Sequence, residues 1–233
     1  MRIKDSWKTR WVVALCGVGM LSMAQLAIAG ESNPLEGAPG QPGGLSTGKP
    51  YREVQMPHNL HLDKTVIEVF EYGCPYCRQM NAAMLNWGKS IPKGYRFTQM
   101  PALIADQYFP MTMATFGVYE TDPGKLQAFE ENAFSLVQTY KKPLNAPVVY
   151  LTAAHEAGID VGALIRAIDS PTVKALTAED AEIMKITQIT RTPSLIICGK
   201  YVIDPSDTKG NASMFIQLAN GLLSRCMMEQ GVH

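Results

Sequence analysis

Two cysteines stand three positions apart, Cys74 and Cys77, with Pro75 and Tyr76 between them. At that spacing on the first turn of a helix, two thiols lie on one face and can bridge without large backbone movement. Pro75 supports a helix beginning there, because the first helical position has no partner for an N–H that proline lacks. The unpaired amides and positive dipole end of such a helix favour an anion at Cys74, lowering its thiol pKa. Cys74 is then the nucleophile and Cys77 the resolving thiol of a reversible dithiol/disulfide couple. Stabilising the Cys74 thiolate favours the reduced form and so pushes the couple toward oxidising power.

Two blander readings compete. A zinc site would need two further ligands, and neither Cys198 with Cys226 nor the scattered His58, His61 and His155 supplies a second close pair. A static disulfide is disfavoured because a strand-to-helix turn with the first cysteine at the helix start is how redox motifs are placed. No metal and no cofactor is expected.

The elements that must hold this motif are legible on either side of it. Residues 51–56 fit an edge strand, and Thr65-Val66-Ile67-Glu68-Val69-Phe70 is β-branched and aromatic enough for a buried one. The motif helix is predicted over 74–89 and a further strand over 95–100, closing a β-α-β unit. From 102 to 188 the pattern is helical: Leu126, Phe129, Ala133, Leu136 and Tyr140 share one expected face, and Val161, Leu164, Ile165 and Ile168 another. Strand signals resume at 194–197, turn at Gly199-Lys200 and return at 201–203, before a last helix over 212–228. The fold class is α/β: one sheet with an inserted all-helical domain.

The N-terminus reads as a leader. Arg2, Lys4, Lys8 and Arg10 precede a nearly uncharged apolar run ending in Ala27-Ile28-Ala29, a small-x-small cleavage pattern, so residues 1–29 are expected to be a signal peptide. An uncleaved anchor is the alternative, weakened by Gly17, Gly19, Ser22 and Gln25. Cys16 would leave with the leader. Residues 30–50, rich in proline and glycine, read as a flexible arm. The chain has 21 basic and 21 acidic residues; losing the leader leaves 17 and 20, net −3. Nothing in that balance draws it to nucleic acid, so protein partners are expected.

Four cysteines then remain, an even number that favours disulfides in an exported chain. With the last helix running back along the hairpin, Cys226 should return to Cys198. Phe215, Leu218, Ala219, Leu222 and Cys226 recur at the spacing of one inward helix face. A structural Cys198–Cys226 disulfide is expected; two separate buried thiols are the alternative.

Phe70-Glu71-Tyr72-Gly73-Cys74-Pro75-Tyr76-Cys77, with Thr192-Pro193 downstream and Cys198-Gly199-Lys200-Tyr201 after it, resembles the DsbA family of periplasmic oxidoreductases. The likeness covers roughly 51–228 and is weakest in the insertion. It implies a thioredoxin-like fold formed by 51–101 and 189–228, with 102–188 as the inserted helical domain. It makes Pro193 a cis-proline facing the cysteines, where the residues alone would equally allow an ordinary trans proline. Thr192, Pro75 and Tyr76 become the substrate-binding surface, with the Thr192 backbone pairing to an extended substrate segment. Glu68 matches the family's interior acid, placed to exchange a proton with Cys77. On the residues alone Glu68 could instead face solvent, with Glu71 taking the inward position.

Tyr76 departs from the best-known members, which carry histidine; a phenol offers at most a hydrogen bond, implying a less oxidising couple. The resemblance implies a periplasmic, monomeric protein dithiol-disulfide oxidoreductase. It would oxidise reduced or unfolded exported proteins and be reoxidised by a DsbB-like membrane quinone reductase. An isomerase or reductase of the same fold, and a non-catalytic peptide-binding module, are the alternatives. Against an isomerase of DsbC type, the segment before residue 51 has no room for a dimerisation domain.

Overall fold

A computed structural model of the chain describes residues 48–105 and 108–231. The expected signal peptide, with Cys16, and the arm up to residue 47 lie outside the described residues.

Strand β2 (Thr65–Phe70) is buried at every position because both of its faces are covered. Its β-branched and aromatic residues suit such a place. It pairs in parallel with β3 (Arg96–Pro101), opposing Glu68 to Gln99, and antiparallel with β4 (Ser194–Ile197). Strand β5 (Tyr201–Ile203) adds to β4, and β1 (Arg52–Glu53) closes the order β1-β5-β4-β2-β3. The edge strand is shorter than the sequence suggests. Its partner β5 is only three residues long, so after the bond from Val54 N to Lys200 O at 2.8 Å the chain has no backbone left to pair with.

Helix α1 (Pro75–Gly88) connects β2 to β3, and among the described residues five α-helices lie between β3 and β4. They are α2 (Phe109–Thr121), α3 (Leu126–Phe134), α4 (Pro147–Glu156), α5 (Val161–Ile168) and α6 (Pro171–Thr187), and α7 (Ala212–Glu229) ends the fold. One sheet face packs Val66, Leu195, Ile197 and Tyr201 against Met80 and Met84 of α1 and Phe215 and Leu222 of α7. The other packs Ile67, Val69, Ile196 and Val202 against Phe116 of α2 and Val173, Ile183 and Met184 of α6. A third core, built from α2 to α5 around Phe129, Phe134, Tyr150 and Leu164, takes in Phe70, Tyr72 and Cys77 from the sheet side.

Two helical faces differ from the sequence pattern. Tyr140 does not join Phe129 and Ala133: it is 66% exposed. A π-turn over Ser135–Thr139 follows α3, with Tyr140 N bonded to Ser135 O at 3.1 Å. The extra residue in that turn rotates Tyr140 off the α-helical face. In α5, Leu164 is buried but Ile165 is largely exposed. The helix meets α2 at Gly117, where an added Cβ would lie 2.7 Å from Leu164 Cδ1 and 3.3 Å from Ile168 Cγ1. So close an approach makes the covered stripe narrow.

The β4–β5 hairpin turns on Cys198 (φ 54°) and Gly199 (φ 60°), with Lys200 N bonded to Ile197 O at 3.0 Å. Positive φ at both central residues is the type I′ turn whose twist suits a hairpin. Phe215, Ala219, Leu222 and Cys226 of α7 are buried beneath it and Leu218 is half-buried. Cys198 and Cys226 are joined in a disulfide.

Candidate active site

Cys74 is the N-cap of α1, with extended backbone (φ −79°, ψ 115°) and Pro75 in the first turn. Its sulfur accepts from Cys77 N–H at 3.2 Å, so one of the helix's unpaired amides is spent on it. Cys74 is partly buried; Cys77 is 1% exposed, and both are free thiols. From across the site comes the Thr192–Pro193 segment, whose peptide bond is cis. The Cys74 thiol donates to the Thr192 carbonyl at 3.3 Å. Pro193 is buried, Thr192 half-buried and Pro75 exposed. Tyr76 is half-buried and leans on the apolar cluster shared by α1 and α7.

The two thiols are held in opposite states. Cys74 is lowered to about 7, first by a hydrogen bond from the Cys77 thiol, then by the Thr192 hydroxyl and the Cys77 amide, against opposition from burial and Glu71. Cys77 is pushed well above the ordinary thiol value, first by burial and then by its bond to Cys74. The helix N-terminus therefore acts here through an identifiable amide, and side-chain donors add more.

Glu68 takes the inward position. It is 1% exposed and accepts from Gln99 Nε2 at 3.0 Å, while Glu71 is half-buried beyond the strand end. Burial raises Glu68 to about 8, with the Cys74 charge adding and the Gln99 hydrogen bond opposing. A carboxyl held neutral there near pH 7 can donate a proton.

One positioning residue has no signature in the sequence. Gln138, on the π-turn after α3, donates through Nε2 to both Tyr72 O at 2.8 Å and Cys74 O at 2.9 Å. It clamps the loop carrying Cys74. Arg78 Nη1 donates to Thr139 Oγ1 at 2.8 Å and ties α1 to the same turn. No spacing rule announces a glutamine in this role, because the π-turn that aims it breaks the 3.6-residue period.

Comparison with known proteins agrees with this geometry. A thioredoxin family model matches residues 61–217. The chain is 26% identical over 189 residues to the thiol:disulfide interchange protein DsbA of Pseudomonas syringae pv. tomato, covering 78% of this chain and 84% of that one. It is 27% identical over 196 residues to the DsbA of Azotobacter vinelandii, covering 79% and 86%. The crystal structure of Pseudomonas aeruginosa DsbA superposes with a TM-score of 0.70 at 21% identity, over 79% of this chain and 95% of that one. The chain belongs to the thioredoxin family, as a DsbA-like dithiol-disulfide oxidoreductase.

Proposed function

We propose that the protein introduces disulfides into exported proteins through the Cys74–Cys77 couple. The observation that carries this is the asymmetry of the two thiols: Cys74 lowered to about 7 at a helix N-cap, Cys77 raised by burial. In the disulfide form, a substrate thiolate attacks Cys74 Sγ and the Cys74–Cys77 bond breaks, its electron pair going to Cys77 Sγ. Cys77, the stronger base, takes a proton, and Glu68 is the group supplying it. The substrate's second thiolate then attacks its own sulfur in the mixed disulfide and expels Cys74 as a thiolate. The substrate leaves oxidised and the enzyme reduced by the same two electrons.

Thr192, with its carbonyl 3.3 Å from Cys74 Sγ, is the backbone on which an extended substrate segment would pair, beside Pro193, Pro75 and Tyr76. Such pairing uses main-chain groups, so the client range is broad. The reoxidant is a DsbB-like membrane quinone reductase, and the protein works as a periplasmic monomer exported by residues 1–29.

A reductase or isomerase of the same fold is favoured by one observation: Cys74 is lowered mainly by hydrogen-bond donors, which stabilise a thiolate less than an adjacent imidazolium would. Equilibrating the Cys74–Cys77 couple with glutathione separates the readings. A couple more oxidising than glutathione supports the oxidase; one well below it transfers the proposal to the reductase.

A further inference from the structure

A buried polar chain runs from the strand beneath the cysteines into the helical insertion. Gln99 Nε2 on β3 donates to Glu68 Oε2 at 3.0 Å and to Asn81 Oδ1 on α1 at 2.8 Å. Asn81 Nδ2 in turn donates to Glu130 Oε2 on α3 at 3.3 Å. All four side chains are 5% exposed or less. Neither carboxyl has a cation partner among the described residues. Glu130 Oε1 and Gln99 Oε1 have no hydrogen-bond partner among the described residues. An ionised, half-satisfied carboxylate in such a place is costly, and two on one buried chain are costlier still.

We infer that Glu68 and Glu130 act as one coupled carboxyl pair across the Gln99–Asn81 bridge, with Glu130 a positioning residue that governs proton exchange between Glu68 and Cys77. The coupling rests on the role proposed for Glu68 in disulfide exchange. When Cys77 leaves as a thiolate it takes the Glu68 proton, and one negative charge appears on Glu68. A Glu130 that keeps its proton leaves that charge alone in the network. A Glu130 that has lost its proton repels the new charge, so Glu68 holds its proton more tightly and releases it less readily.

The surroundings fit this coupling. Burial first, and then the Glu68 charge and Glu131, raise Glu130 to about 8, with Asn81 opposing. Besides Cys74, which acts on Glu68, and Glu131, which acts on Glu130, the pair meets two phenols: Tyr72, bonded to Thr115 at 3.0 Å, and Tyr119, whose hydroxyl donates to Gln99 O at 3.3 Å. Both are pushed upward by burial and then by Glu130, so neither carries charge near pH 8. On α4, Tyr150 donates to Leu144 O at 2.6 Å and His155 and Glu156 are exposed. On α1, Arg78 is exposed and engaged by Thr139.

The test is the pH profile of reduction of the Cys74–Cys77 disulfide by a small dithiol, in the parent, Glu68→Gln and Glu130→Gln proteins. Glu130→Gln is expected to move the alkaline limb down by about one pH unit, because the repulsion holding the Glu68 proton is gone. Glu68→Gln is expected to remove the limb. An unmoved limb in Glu130→Gln, with the limb lost in Glu68→Gln, overturns the inference and leaves the Glu68 role standing. A limb that survives Glu68→Gln overturns that role itself. Should Glu130→Gln not fold, carbon-13 titration of the carboxyls in the parent protein decides. Two-step curves at both residues support the pair, and independent single steps overturn it.

Discussion

The two cysteine pairs occupy contrasting surroundings, and the contrast explains why one can turn over and the other is built to stay closed. Cys74 caps the N-terminus of α1, where an amide donates to its sulfur. Cys226 lies in the last turns of α7, at the negative end of the helix dipole, which disfavours a thiolate. The strand that leads to Cys74 carries the buried carboxyl Glu68, linked through Gln99 and Asn81 to the buried Glu130. Around Cys198 and Cys226 the charges are at the surface, where Glu229 binds Lys200 at 2.6 Å, Arg225 at 3.2 Å and the Tyr201 hydroxyl at 2.8 Å. Identical sulfur chemistry thus serves as a reaction centre or a clasp according to which end of a helix it meets.

The comparison breaks first if the pairs exchange roles. Cys74→Ser should abolish thiol-disulfide exchange, and Cys77→Ser should accumulate mixed disulfides with clients because the resolving thiol is missing. Gel analysis of non-reduced cell extracts checks this; a Cys77→Ser protein without trapped clients would reverse the assignment. Removing the other pair, Cys198→Ala with Cys226→Ala, should leave exchange intact and cost about 3 to 4 kcal/mol of stability, from the loop the bond closes. Urea unfolding of both proteins under oxidising conditions measures the difference.

The titratable end should also make stability depend on pH. Glu68 is raised to about 8 from 4.5, so its favourable contribution is complete below pH 4.5 and is lost as pH rises through 8. Glu68→Gln should therefore gain up to about 4 kcal/mol over the parent at pH 8, and the gain should vanish at pH 4. Parallel urea curves at both pH values would show it; an equal effect at each would mean packing, not ionisation. The smallest expected change sharpens the site itself. Tyr76→His should raise the potential by about 30 mV, a tenfold shift in the equilibrium constant with glutathione, through an imidazolium near Cys74.

Much of the framework is legible in the sequence because local signals agree. Pro75 marks the start of α1, and the β-branched run at 65–70 marks a strand covered on both faces. The features that escape depend on register and on broken periods. Glu68 cannot be told from Glu71 as the inward acid until β2 is paired, since a one-residue slip exchanges the faces. A single π-turn both carries Tyr140 off its expected face and aims Gln138 at the cysteine loop. Glu130 is readable in principle. It follows Leu126 by four residues, on the side of α3 that carries Phe129 and Ala133, but an acid on an apolar stripe draws attention only once its partners are known.

The five helices between β3 and β4 also set when the site can exist. Cys74 and Thr192, 118 residues apart, meet only after β4 has docked against β2. Contacts of that span are slow to form, because loop closure must precede the contacts that reward it. During synthesis Cys74 and Cys77 emerge long before Thr192, so the motif spends its early life as an unguarded dithiol on an incomplete chain. Its tuned reactivity belongs to the finished fold, and a chain truncated before β4 should carry both cysteines without the chemistry they perform together.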